Sequence, residues 1–387
     1  MSAKATTTCR ICAAPLAEPP LLVQHDMPAA AQGLPTAAQL DADRGVELRL
    51  HQCSACGLAQ LSNAPVPYFR EVIRAAGISP EMQAFRREQF GAWLAEHGLI
   101  GRQVLEVGCG RGEYLAVLAD AGARACGVEF APDAVAACRS AGLCVEEGFI
   151  EGPETRLASA PFDGFMILNF LEHLPAAHQV LRGIAAQLRE GGIGMVEVPN
   201  FDMILERRLF AEFIPDHLFY FTRDTLTRLL AANGFEVLSC QTLWYGYLLS
   251  ATVRKRAPLD LAPLAGAQAG LRRSFDDFLA RFADRRVAIW GAGHQALALI
   301  SLMRIRDRIA YVVDSAPFKQ GRYTPATHLP IVAPERLEAG DVDAIIVLAA
   351  SYSDEVARII RERHGDRFEV AVLGDDGLQQ VPPEPTA

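Results

Sequence analysis

Val104-Leu105-Glu106-Val107-Gly108-Cys109-Gly110-Arg111-Gly112-Glu113-Tyr114-Leu115 is the stretch whose reading decides the fold. Its first four residues read as a short buried strand, the three alternate glycines as a tight turn, and Glu113–Leu118 as the start of a helix. Residues without a side chain let backbone amides at a helix start approach a ligand closely. About twenty residues on, Gly127-Val128-Glu129-Phe130 reads as a second strand ending in an acid, where a carboxylate can accept both hydroxyls of a ribose. The order predicts an α/β doubly wound sheet with a nucleotide-type ligand in its crevice.

A G-x-G-x-G loop by itself serves NAD, FAD or S-adenosylmethionine. Glu106 favours the last, because an acid inside the strand before the glycines can reach the amino group of a methionine moiety; a dinucleotide fold more often has an apolar residue there and a G-x-G-x-x-G spacing. Further along, a third strand near Cys144-Val145-Glu146 precedes Gly148-Phe149, placed at an adenine. A fourth, Gly164–Leu168, ends in Asn169-Phe170-Leu171-Glu172-His173, where polar residues face the ligand crevice. Leu181–Leu188 reads as a helix closed by Glu190-Gly191-Gly192, Ile193–Val198 as a strand, Thr222–Asn233 as a helix capped by Gly234, and Phe235–Cys240 as a strand. The expected donor-binding set is Glu106, Gly108, Gly110, Gly112, Glu129, Phe130, Phe149 and Asn169.

Upstream lie Cys9-Arg-Ile-Cys12 and Cys53-Ser-Ala-Cys56, with Gly57 suited to the turn after the second pair. Two C-x2-C pairs can fill the four corners of a zinc tetrahedron, and four sulfur ligands leave no open position for catalysis. The intervening segment is longer than in a minimal zinc ribbon. Of nine cysteines in 387 residues, the other five (Cys109, Cys126, Cys138, Cys144, Cys240) are scattered, as is common in a reducing compartment. Met1–Thr8 lacks the apolar core of a secretory signal, and no 18-residue apolar run occurs, so the expectation is a cytoplasmic protein with no membrane partner. A net charge of −9 argues against nucleic acid as a partner.

Candidates for proton chemistry cluster in Glu212-Phe213-Ile214-Pro215-Asp216-His217-Leu218-Phe219-Tyr220-Phe221. An imidazole can accept a proton at neutral pH, and a neighbouring carboxylate stabilises the charged form. His217 is therefore the candidate base and Asp216 its partner, against the plainer reading of a loop histidine capping a carbonyl. His173 sits at a strand end, and Tyr68 in the linker Pro65–Phe69.

Towards the C-terminus, residues 254–270 are rich in Ala and Pro and read as a connector. Arg286–Trp290, Gly291-Ala292-Gly293, His294–Met303 and Ile309–Val313 followed by Asp314 form a second Rossmann-like half. The third fingerprint glycine is missing, Ala296 standing nearby, which weighs against an independent dinucleotide site. Asp343–Ala350 reads as a strand, and Ser351-Tyr352-Ser353 opens a helix whose amides could meet a phosphate.

Together these motifs resemble the three-domain sugar C-methyltransferases, which act on nucleotide-linked keto-deoxysugars in antibiotic pathways. The resemblance covers nearly the whole chain: the four cysteines followed by Gly57-Leu58-Ala59-Gln60-Leu61, Glu106–Gly112, Asn169 with Glu172-His173, Asp216–Phe221, and Asp314–Tyr323 with its Lys-Gln-Gly. It implies a zinc domain (1–64), a class I methyltransferase domain (65–253) and a C-terminal Rossmann-like domain (254–387). It also implies His217 as the base alpha to a ketone, Asp216 as its acidic neighbour where the family usually has Glu, and Tyr68, Asn169 and His173 in the acceptor site. Gly293, Lys319 and Tyr352 would then help hold the nucleotide part of the substrate. One departure stands: Ile214 and Pro215 replace a Tyr and a His common in the family. An O- or N-methyltransferase on another small molecule, and a catalytically silent donor-binding module, are the alternatives. No heptad or interface stripe distinguishes a monomer from a small homo-oligomer.

Overall fold

The computed structural model describes residues 5–32, 34–71, 78–284, 286–375 and 377–382, which form two compact units, Met1–Pro258 and Leu259–Ala387. The first begins with three strands, β1 (Leu22–Met27), β2 (Val46–Gln52) and β3 (Ala59–Leu61). Strand β2 sets buried Leu48 and Leu50 against outward Glu47 and Arg49, as a half-covered antiparallel sheet requires, whereas β3 is buried throughout, Gln60 included. Their outer partner is β9 (Phe219–Tyr220), which comes from the Asp216-His217 loop and pairs antiparallel with β3. The four-cysteine segment therefore shares a sheet with the methyltransferase region, inside one compact unit.

Helix α1 (Pro80–Glu96) starts on Ser79, whose hydroxyl accepts the Met82 amide, with Pro80 at the first helical position. It leads into β4 (Gln103–Val107), α2 (Glu113–Asp120), β5 (Arg124–Glu129), α3 (Pro132–Ser140), β6 (Cys144–Glu147), β7 (Phe162–Leu168), α4 (Ala177–Gln187) and β8 (Leu188–Pro199). After α5 (Phe201–Glu206) and β9 come α6 (Arg223–Ala232), β10 (Phe235–Leu243) and β11 (Leu248–Lys255). The seven-stranded sheet runs β10-β11-β8-β7-β4-β5-β6 and is parallel except for β11. Strands β4 and β7 are apolar on both faces because helices cover both, and β4 carries a single buried acid, Glu106. Strand order reverses between β4 and β7, and the carboxyl ends there open the ligand crevice. Helix α6 shows how the sequence sets such an element: Thr222 and Thr225 form a reciprocal cap, while Leu226, Leu229 and Leu230 bury one face at about 2 kcal/mol each.

The second unit contains α7 (Ala262–Leu279), β12 (Val287–Trp290), α8 (His294–Met303), β13 (Ile309–Val313), β14 (Ile331–Val332), β15 (Ala344–Val347), α9 (Ser353–His364), β16 (Glu369–Gly374) and β17 (Gly377–Gln380). Its six-stranded sheet runs β14-β13-β12-β15-β16-β17, with only β17 antiparallel among the described strands.

Three local expectations are corrected. Much of the expected connector 254–270 is α7, whose Phe275, Phe278 and Leu279 pack on the second unit's sheet while its first turns stay exposed; the burying positions lie at its far end, beyond the Ala/Pro-rich stretch. Helix α4 ends at Gln187, and Glu190-Gly191-Gly192 belong to β8, in an irregular stretch between Leu188 and Ile193, which pair with Phe162 and Gly164 of β7; β11 pairs from Ile193 onward. Cys126 and Cys144, expected as free thiols, are joined in a disulfide; they are direct register partners on β5 and β6 with Cα atoms 4.7 Å apart. No helix among the described residues is long and apolar enough to cross a membrane.

Candidate active site

The glycine loop after β4 takes left-handed backbone at Gly108, Gly110 and Gly112 (φ 70°, 57° and 89°), which L side chains rarely adopt. Glu129, at the end of β5, holds that loop. One carboxylate oxygen accepts the Gly110 amide and the other the Ala131 amide, each at 2.9 Å. Packing behind the loop is close: a Cβ on Gly127 would lie 2.4 Å from the Cys109 sulfur. Burial and the nearby Glu106 carboxylate push the Cys109 thiol well above its usual range.

Asn169 follows β7 in left-handed backbone (φ 49°), and its side-chain oxygen is buried without a hydrogen-bond partner among the described residues. An acceptor facing the crevice beside a cradle of glycine amides fits S-adenosylmethionine, whose polar groups would satisfy it. Phe130 stays 41% exposed. Phe149 packs edge-to-face on Phe69, and the Arg70 guanidinium lies over both rings at 5.5 and 4.8 Å and pairs with Glu151.

Next to the β7 end is a cavity of about 530 Å³ that brings Tyr68, Asn169, His173, Asp216 and His217 together. The loop carrying the last two is pinned from several sides. Leu218 donates its amide to the Glu172 carbonyl and accepts the Leu61 amide, so β3 and the turn after β7 both grip it. The Tyr220 hydroxyl accepts the Ile214 amide. The Asp216 carboxylate is committed away from His217: it accepts the Tyr68 hydroxyl and the Ala31 amide, both at 2.8 Å. It acts instead on His173, whose ring also bonds the Asp216 backbone. The two imidazoles stand edge-to-face with centroids 4.7 Å apart, and no described residue hydrogen-bonds the His217 ring. Burial pulls the His173 pKa down to about 4, and burial with the charge of His173 pulls His217 down to about 3, so both rings are neutral in the free site.

Two features escaped the motifs. Glu172 is 1% exposed, lines the cavity, and has one side-chain oxygen without a partner; burial pushes its carboxyl up to about 8. Its place beside His173 was visible in the sequence, but burial was not. Arg86 of α1 and Glu197 of β8 form a fully buried ion pair, with the Arg86 guanidinium 4.9 Å from the Tyr114 ring centroid. A polar residue on a helix of mixed pattern carries no signal for this.

The four N-terminal cysteines converge, with Cys9–Cys56 and Cys12–Cys53 sulfurs 3.5 Å apart and all four within 4.8 Å. Tetrahedral Zn–S bonds of about 2.3 Å need sulfurs about 3.8 Å apart, so the donor set suits Zn2+. In the second unit, Gly293 caps α8, Lys319 pairs with Asp314 at 2.8 Å, and Tyr352 precedes α9 and is 66% exposed. All three follow carboxyl ends of neighbouring parallel strands, on a different compact unit from the donor loop.

The sheet order, the glycine cradle and the strand-end carboxylate define a class I S-adenosylmethionine-dependent methyltransferase. A methyltransferase-domain family matches residues 69–240, and a C-methyltransferase C-terminal domain family matches residues 266–372. The chain is 25% identical over 306 residues to the C-methyltransferase NovU of Streptomyces niveus, covering 70% of this chain and 72% of that one. Over 109 residues it is 36% identical to a ubiquinone biosynthesis O-methyltransferase of Xylella fastidiosa, 26% of this chain and 44% of the relative. A solved S-adenosylmethionine-dependent methyltransferase of Clostridium acetobutylicum aligns at 12% identity and TM-score 0.38, over 45% of this chain and 92% of that one. The chain is thus an S-adenosylmethionine-dependent methyltransferase in which a methyltransferase-domain match is followed by a C-methyltransferase C-terminal match, and it is similar to a C-methyltransferase.

Proposed function

We propose that this enzyme methylates the carbon alpha to a ketone, on a small-molecule acceptor of the nucleotide-linked keto-deoxysugar class, with His217 as the base. The observation that carries the reading is the His217 ring, hydrogen-bonded by no described residue and facing the same cavity as Asn169 at the strand-order reversal. Bound S-adenosylmethionine supplies an electrophilic methyl. Glu106, the glycine loop, Glu129, Phe130, Phe149 and Asn169 hold that donor. His217 removes the alpha proton, and His173 or Tyr68, turning its single proton from Asp216 to the acceptor, donates a hydrogen bond to the developing enolate oxygen. Asp216 holds both side chains in place in the free site, a positioning role rather than direct support of the base. The resulting nucleophile is held close to the methyl, and that proximity supplies much of the acceleration.

Four thiolates from Cys9, Cys12, Cys53 and Cys56 hold a structural Zn2+. The C-methyltransferase C-terminal match supports carbon as the methylated atom; the shorter match to O-methyltransferases supports a hydroxyl acceptor as the second reading.

Hydrogen–deuterium exchange separates them. With keto-sugar nucleotides in D2O and S-adenosylhomocysteine in place of the donor, the enzyme is expected to exchange the alpha proton, and His217→Asn to abolish exchange. No exchange and no C–C product with any keto-sugar nucleotide overturns the reading in favour of the hydroxyl acceptor.

A further inference from the structure

Cys9, Cys12, Cys53 and Cys56 are not the only metal-ligating side chains the described residues bring together. A carboxylate oxygen of Glu172 and a ring nitrogen each of His173 and His217 lie within 4.8 Å of one another at the wall of the acceptor cavity. Glu172 is 1% exposed and one of its oxygens has no hydrogen-bond partner, a costly state for a buried polar atom. The Glu172 carboxylate stands 3.9 Å from the His173 Nε2 atom.

We propose that Glu172, His173 and His217 form a second metal site, taking a divalent transition cation of the Zn2+ or Co2+ type, which occludes the base when the acceptor is absent. Two imidazoles and one carboxylate are a borderline donor set that selects such cations over Mg2+ or Ca2+. Three protein ligands facing a cavity leave coordination positions for water, as in open rather than closed sites. Bonds of about 2.1 Å place ligand atoms about 3.4 Å apart, so the cluster must contract by about an ångström. Rotation of the imidazoles into the cavity supplies that movement. The cation and the proton-transfer reaction exclude each other, because coordination occupies the ring lone pair of His217 that removes the proton. This inference rests on His217 being the base: the same free lone pair serves both.

The test uses the full chain carrying metal at its cysteines. Co2+ titration followed by absorbance and by metal analysis is expected to show one further equivalent per chain, with d–d bands but no thiolate charge transfer. Glu172→Gln and His173→Ala are each expected to lose that equivalent while keeping the thiolate signature, which also shows that they fold. Micromolar Zn2+ added to the wild type is expected to depress turnover, with acceptor protecting and a mild chelator restoring it. Absence of a second equivalent, or its persistence in both variants, overturns the proposal. If it binds but turnover survives in His217→Asn, the base assignment fails and the metal site stands; if that variant is inactive and no second cation binds, the base stands alone.

Discussion

Glu129 carries two duties at once, and each can be measured. Its two oxygens clamp the amides of Gly110 and Ala131, and the proposed function gives the same carboxylate the ribose of the donor. A hydrogen bond to a charged group is worth about 1.5–3 kcal/mol. Glu129→Ala is therefore expected to weaken S-adenosylhomocysteine binding by about 10- to 100-fold, read by calorimetry; unchanged affinity would contradict the ribose contact. His217 behaves oppositely. It lines the cavity beside the end of β7, so under the proposed role His217→Ala is expected to cut kcat by about 10²–10⁴ and leave donor affinity intact. A variant that loses donor binding would refute that role.

At the scale of elements, the buried pair between α1 and β8 is the sharpest case. Arg86 and Glu197 have no exposed surface, and Gln89 of α1 also bonds the Glu197 carboxylate. Removing one partner strands a charge in the interior, at a cost of about 3–5 kcal/mol. Glu197→Ala is expected to lower stability by that amount in denaturant unfolding, whereas Glu197→Gln, which still accepts a hydrogen bond, loses less. A loss below about 1 kcal/mol would mean that water reaches the pair. The pair ties the helix leading into the donor crevice to the strand next to β7. A stability loss there is expected to loosen Tyr114 and Met82, which line the cavity beside the end of β7.

For the molecule as a whole, the consequential connection is the sheet β1-β2-β3-β9. It joins the cysteine segment to the loop that presents His217: Cys53 donates its amide to the Leu58 carbonyl and accepts the Gly57 amide, and β3 follows directly, with the Leu61 amide donated to the Leu218 carbonyl. Metal at the cysteines would thus order the strand that fixes the base. Cys53→Ser is expected to lower the zinc content, destabilise Met1–Pro258 and reduce turnover together, with S-adenosylhomocysteine binding affected less. Full zinc content in that variant would contradict the four-thiolate site, and normal turnover without zinc would break the link between sheet and base.

Local order along the chain settled a good deal. Strand, glycine turn and helix at Val104–Leu118, the acid ending β5, the α6 span and the paired cysteines are encoded by residue type and spacing within a few positions, so they are legible without a fold. Packing across long separations decided the rest. It turned Asp216 towards Tyr68 and His173 rather than His217, buried Glu172 and the Arg86–Glu197 pair, set Cys126 opposite Cys144, and continued β8 through two glycines. Each of these depends on which strands become neighbours and in what register, and no short window of sequence contains that information. The residue types for proton transfer were therefore present in the chain, while their partners were assigned by the way the sheet closed around them.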